Sequence, residues 1–223
     1  MLRECRPDFR QLVFALAFLP CAFIAWSETA SAQPRSDDLA IAVANDRAAE
    51  VKALLARGAD PNMRDANGEP VLIVAARAGS VATAETLLAG RADVNLRNRY
   101  GDTALMIAAL NGHLEIVKKL RARGADVNNA GWTALAYAAT GGHDDVVRYL
   151  LAEGAVIDAT SPNGTTALMM AVRESRESTV ELLIARGADV NRRNQNNASA
   201  LDWAKRGNDA ALVARLRRAG AKD

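Results

Sequence analysis

The sequence predicts an all-α solenoid of six stacked helix-turn-helix repeats, and three observations predict it. A leucine recurs at Leu39, Leu72, Leu105, Leu135, Leu168 and Leu201, in steps of 33, 33, 30, 33 and 33 residues. An alanine keeps the same register at Ala42, Ala75, Ala108, Ala138, Ala171 and Ala204. Composition is the third: of 223 residues, 50% are hydrophobic but only 4% aromatic, so Ala, Leu and Val must fill most of the interior. A fixed period of this length marks a stack in which each unit buries its apolar face on its neighbours, with no single deep core to fill.

Residues 1–32 stand apart from the repeats. Arg3, Arg6 and Arg10 make a basic start, Leu12 to Trp26 is an apolar run, and small residues follow at Ala30 and Ala32. This three-part pattern reads as a secretory signal cleaved after Ala32. The run is short for a membrane span and contains Pro20, so no membrane association is expected after cleavage. Cleavage removes Cys5, Cys21 and all four phenylalanines, which excludes thiol chemistry and cysteine metal sites in what remains. A bacterial periplasmic location is the expectation. The 28 basic and 26 acidic residues nearly balance, unlike a general nucleic-acid binder, and no nucleic-acid partner is expected.

The repeats then follow in order: a short linker at 33–36, an N-terminal capping copy at 37–65, copies at 66–98, 99–128, 129–161 and 162–194, and a C-terminal capping copy at 195–223. The third copy shows how each is built. Thr103 can cap a first helix that ends near Asn111 and Gly112, and a second helix runs from about His113 to Arg123. Leu105, Ile107 and Ala108 share one face of the first helix, and Leu114, Ile116, Val117 and Leu120 one face of the second. Gly124 falls where the chain turns left-handed to end the second helix.

Thr103-Ala104-Leu105, Asn111-Gly112-His113 and Gly124-Ala125-Asp126-Val127-Asn128 together resemble the ankyrin repeat, including its exported bacterial members. The resemblance implies a hairpin or turn followed by two antiparallel helices per copy, stacked into a curved solenoid. It also implies a non-enzymatic module, expected as a monomer, that contacts a protein partner through hairpin tips and the inner helix face.

Departures from the pattern carry expectations of their own. Asp37 or Asp38 can cap the opening helix, and Arg217 suits a solvent-facing end. Arg121 breaks an apolar column without an evident reason. Arg91 stands where glycine is expected, with Gly90 one residue early, which reads as a shifted turn. The histidine of the family's usual Thr-Pro-Leu-His is replaced by Ile73, Met106, Ala136, Met169 and Asp202. The 30-residue step removes three residues between Asn128 and Gly131, so the fourth copy should have a clipped tip, followed at once by Trp132.

No catalytic constellation or phosphate loop occurs, and no cofactor is expected. His113 and His143, with Asp144 and Asp145, offer the alternative of a metal or small-ligand site, although Gly-His is the family's habitual start to its second helix. The candidate partner-binding residues are Arg97, Arg99, Tyr100, Asp102, Trp132 and Thr165. Exposed Trp, Tyr and Arg are the types that dominate binding hot spots. Tyr137 and Trp203 match Ile107 in register and are read as core.

Overall fold

The computed structural model describes residues 36–223, so the expected signal at residues 1–32 and most of the linker lie outside the described residues. Ser36, assigned to that linker, already opens a helix. The described residues form twelve helices in six antiparallel pairs. The first of each pair are α1 (Ser36–Ala44), α3 (Val71–Ala78), α5 (Ala104–Leu110), α7 (Ala134–Gly141), α9 (Ala167–Arg173) and α11 (Ala200–Arg206). The second are α2 (Ala48–Ala56), α4 (Val81–Ala89), α6 (Leu114–Ala122), α8 (Asp144–Ala152), α10 (Glu177–Ala185) and α12 (Ala210–Arg218). Each odd-numbered helix stacks on the next odd one, and the even helices from α2 to α10 form a second row behind them. No strand is assigned among the described residues; Arg64 and Pro70 make one isolated antiparallel bridge.

Helices of seven to nine residues are too short to be stable alone, so stacking must hold them. The leucine column that sets the period is buried in every copy, as is the alanine column. Each buried leucine is worth roughly 1.5–3 kcal/mol relative to exposure, while alanine lets the two helices of a pair approach closely. The odd helices from α5 onward start alike: Thr103, Thr133, Thr166 and Ser199 accept the backbone N–H three residues on, at 3.4, 3.2, 3.3 and 3.2 Å. Asp202 completes a capping box by accepting from Ser199 N and Oγ, both at 2.8 Å. A carboxylate therefore serves the helix start where the usual histidine is missing. Asp37 and Asp38 fall inside the first turn of α1, where they suit the helix dipole instead of acting as the cap.

The connections between copies are ladders. Asp60, Asp93, Asp126 and Asp189 each accept from the backbone N–H two residues ahead at 2.8–2.9 Å. The asparagines so placed, Asn62, Asn95, Asn128 and Asn191, accept in turn from the next turn along, at 2.6, 2.9, 2.9 and 2.8 Å. Arg121 acquires an account here: its guanidinium donates to Ala125 O and to Glu153 of the next copy, tying the end of α6 to the end of α8. Arg217 is exposed and faces Asp223, as a terminal helix allows.

The shifted turn expected at Arg91 does not form. Gly90 keeps φ −76°, and Arg91 itself takes the left-handed conformation at φ +67°. The closing bond from Ala92 N–H to Leu87 O, at 3.0 Å, matches the bond from Ala125 N–H to Leu120 O at 3.0 Å. That bond fixes which residue must turn left-handed, whatever its side chain. Gly90 has a different use: a Cβ there would stand 2.7 Å from Leu55 Cδ1.

Candidate interaction surface

One residue column of the odd helices holds Ile41, Val74, Ile107, Tyr137, Met170 and Trp203. Ile41 at the open end is 54% exposed, whereas Ile107 and Met170 are buried. Tyr137 and Trp203 are only half-buried, against the expectation that they belong to the core. The branched and unbranched members of the column end at the core's edge, and the two large aromatics project past it.

Tyr137 and Trp132 form a wall. Their rings meet edge-to-face, with centroids 6.3 Å apart and planes at 87°. Trp132 comes from the clipped tip and is half-buried, so it lies lower than a fully exposed tip residue would. The Tyr137 hydroxyl donates to Asp102 of the preceding copy at 2.5 Å. Burial, then this bond, push the Tyr137 phenol above the ordinary tyrosine range. Beneath the wall is a recess of about 230 Å³ lined by Leu110, Trp132, Tyr137, Thr140, Met170 and Arg173. All its lining comes from α5, α7, α9 and the clipped tip. The guanidinium of Arg173 reaches onward to the face of Trp203, 6.0 Å from the ring centre.

A polar chain leads into this wall from the N-terminal side. Arg77 donates to both carboxylate oxygens of Glu69 at 2.8 and 3.2 Å. Asn98 Nδ2 donates to Glu69 at 3.1 Å and to Asp102 at 3.3 Å. Burial works against the charge on Glu69, but the bonds from Arg77 and Asn98 prevail and hold its carboxyl below the usual range. Each carboxylate oxygen of Asp102 thus accepts from a group of the chain itself, one from Tyr137 and one from Asn98.

The remaining candidates divide. Arg97, Arg99 and Tyr100 sit on the exposed tip of the third copy. Tyr100 is 70% exposed, with the Arg99 guanidinium 4.8 Å from its ring centre and donating to its hydroxyl at 2.7 Å. Arg97 Nη1 donates to Gly101 O at 2.8 Å, a bond repeated by Arg64 to Gly68 O and Arg193 to Asn197 O, so part of its role is to brace its own hairpin. Thr165 is corrected: it is 1% exposed, its N–H donates to Ser161 Oγ at 3.0 Å, and it offers a partner no surface. It shares Trp132's register, but its small side chain tucks beneath the tip. Sequence reasoning missed Tyr137, Met170, Arg173 and Trp203. The available signal was that two positions of one column carry aromatics in a chain almost free of them.

The histidines have structural partners. His113 Nε2 lies 3.3 Å from Arg77 O, and His143 Nε2 lies 2.9 Å from Leu110 O, each reaching one copy back. Each ring also fills space left by a glycine: a Cβ on Gly79 would stand 2.8 Å from His113 Cε1, and one on Gly112 would stand 2.5 Å from His143 Nδ1. Asp144 accepts from Thr179 Oγ1 at 2.6 Å and Asp145 from Val146 N–H at 2.8 Å. Among the described residues, no three His, Cys, Asp or Glu side chains come together as a metal site would require.

A family model for ankyrin repeats (3 copies) matches residues 39–130 and 123–194. Among solved structures, the ankyrin repeat domain of human ASB11 is similar with a TM-score of 0.76 and 30% identity, over 82% of this chain and 84% of that one. No curated protein matches the chain. The matched segments span most of the six helix pairs, and the capped odd helices, turn ladders and stacking agree with them; the chain belongs to the ankyrin repeat family.

Proposed function

We propose that this chain is an exported, non-enzymatic module that holds a protein partner against the open flank of its odd helices and the neighbouring tips. Ankyrin repeats generally mediate protein–protein interaction. The observation that carries the surface assignment is the wall of Trp132 and Tyr137 over a recess, continued by Arg173 and Trp203, in a chain otherwise poor in aromatics. Packing of the stack does not require rings there, since Ile107 and Met170 fill the same column. Trp, Tyr and Arg in partly buried clusters are the usual energetic centres of interfaces.

Export rests on the basic start, apolar run and small residues of the first 32 positions, with cleavage after Ala32 and a bacterial periplasmic destination. The metal or small-ligand reading is less well supported, because both histidine rings already face carbonyls of the preceding copy. Affinity capture from a periplasmic extract, comparing the wild-type chain with Trp132→Ala, tests the surface. The variant should retain helix content by circular dichroism yet capture less partner; undiminished capture would move the binding surface elsewhere. N-terminal sequencing of the exported protein should begin at Gln33, and an intact Met1 would end the export reading.

A further inference from the structure

We infer that the recess beneath Trp132 and Tyr137 seats one large apolar side chain of an extended partner segment, whose neighbouring acidic side chain is bound by Arg173. This rests on the proposed interaction surface and names what that surface recognises. Size favours a single side chain over a drug-sized ligand or cofactor: the recess is about 230 Å³, whereas small-molecule sites run to roughly 300–1,000 Å³. One anchoring side chain is the scale that fits. Leu110, Met170 and the two rings supply apolar walls for it.

The charge preference follows from which polar groups remain free. The Tyr137 hydroxyl proton is given to Asp102 and that of Thr140 to Ala136 O, so neither points its donor at a guest. Asp102 is occupied by Tyr137 and Asn98. The free donors lie on two other side chains. Trp132 Nε1 has no acceptor among the described residues. Arg173 uses only Nε, on Glu174 at 2.8 Å, and keeps both terminal nitrogens. That pair joins side chains 49% and 36% exposed, and exposed ion pairs are weak enough to yield to a better ligand. The free donors at the rim include a cation, which favours an anionic acceptor, and its planar guanidinium fork matches a carboxylate. Trp203, against the same guanidinium, screens one side of it from water and strengthens that contact.

Four capped nonapeptides of Gly and Ser test this, carrying a central Phe or Ala with either Asp or Lys on both sides. Binding is read from the Trp132 indole N–H resonance in a ¹⁵N-labelled full-length chain. The Phe–Asp peptide should bind about tenfold tighter than Ala–Asp or Phe–Lys, since each lost feature removes an anchor or a charge-assisted bond. Arg173→Gln should abolish the preference for Asp while keeping that for Phe. Thr140→Phe, at the half-buried rim, should fill the recess and abolish the preference for Phe. Equal binding of all four peptides, no shift of the Trp132 resonance at millimolar peptide, or an Asp preference surviving Arg173→Gln overturns the inference. If the peptides fail while Trp132→Ala still loses the captured partner, the anchor-and-carboxylate assignment falls and the interaction surface stands.

Discussion

Replacing Gly112 with alanine brings two costs that can be separated. Gly112 has φ +73°, a conformation that costs a residue with Cβ roughly 1–2 kcal/mol. The new methyl would also stand 2.5 Å from His143 Nδ1, an overlap that forces the ring off Leu110 O or the backbone aside. Overpacking of this kind costs about 1–3 kcal/mol, so Gly112→Ala should destabilise by about 3 kcal/mol in total. The chain itself supplies the remedy. Where the residue in this register is not glycine, the residue in the histidine register one copy on is small or short: Ser80 follows Asp46 and Asp209 follows Ser175, which have φ +52° and +51°. His143→Ser alone should cost about 1–2 kcal/mol, for a hydrogen bond and some packing. In the double variant the overlap is gone, so the combined loss should fall short of the sum by about 1–3 kcal/mol. Urea unfolding followed by circular dichroism measures all four corners of the cycle. Strict additivity would refute the claim that glycine is there to admit the histidine.

Other predictions follow from single columns. Arg91→Gly should stabilise by about 0.5–1 kcal/mol, the left-handed strain relieved less the added chain entropy, and raise the melting temperature by ~1–4 °C; a lower melting point would contradict the strain. Thr165→Val and Thr166→Val, one residue apart, should have opposite effects in the same urea assay. The Thr165 hydroxyl is buried without a partner, so its removal should be neutral or gain up to ~1 kcal/mol, whereas Thr166 caps α9 and should lose about 1 kcal/mol. Acid should destabilise the chain partly through Glu69 and Asp202, whose carboxyls are held below their usual values of 4.5 and 3.8. For depressed carboxyls the stabilisation is full above those values and is lost as pH falls through the lower folded-state values. Glu69→Gln should therefore flatten the stability–pH curve below about pH 4.5 and leave its slope near neutrality unchanged.

Much of this was legible because repeats turn one sequence into six aligned observations. The period, the Thr103 cap and the left-handed Gly124 need only local chemistry, and each stands as read. The signal depends on nothing in the fold and stays a reading of residues alone. What failed depended on bonds and depths that register alone does not reveal. Gly90 and Arg91 can each end a helix, and only the bond from Ala92 to Leu87 decides which turns left-handed. Thr165 and Trp132 share a register, yet the clipped tip sends them to different depths. Tyr137 shares Ile107's register, but a ring extends beyond the space an isoleucine fills.

That contrast gives a criterion for separating packing from function within a stacked chain. A residue that departs from its column is explained structurally when a neighbour departs to match it. Asp46 with Ser80 is such a pair by register, as is Ser175 with Asp209. Arg121 departs and is matched by Glu153 and the carbonyl of Ala125. Tyr137 is matched on its polar end, where Asp102 receives the hydroxyl, but its ring faces the recess with Trp132. Trp132 meets the Tyr137 ring and Trp203 the Arg173 guanidinium, and three of these four side chains line the recess. Under the proposed function, the joint use of these side chains is a contact made over α7 and α9.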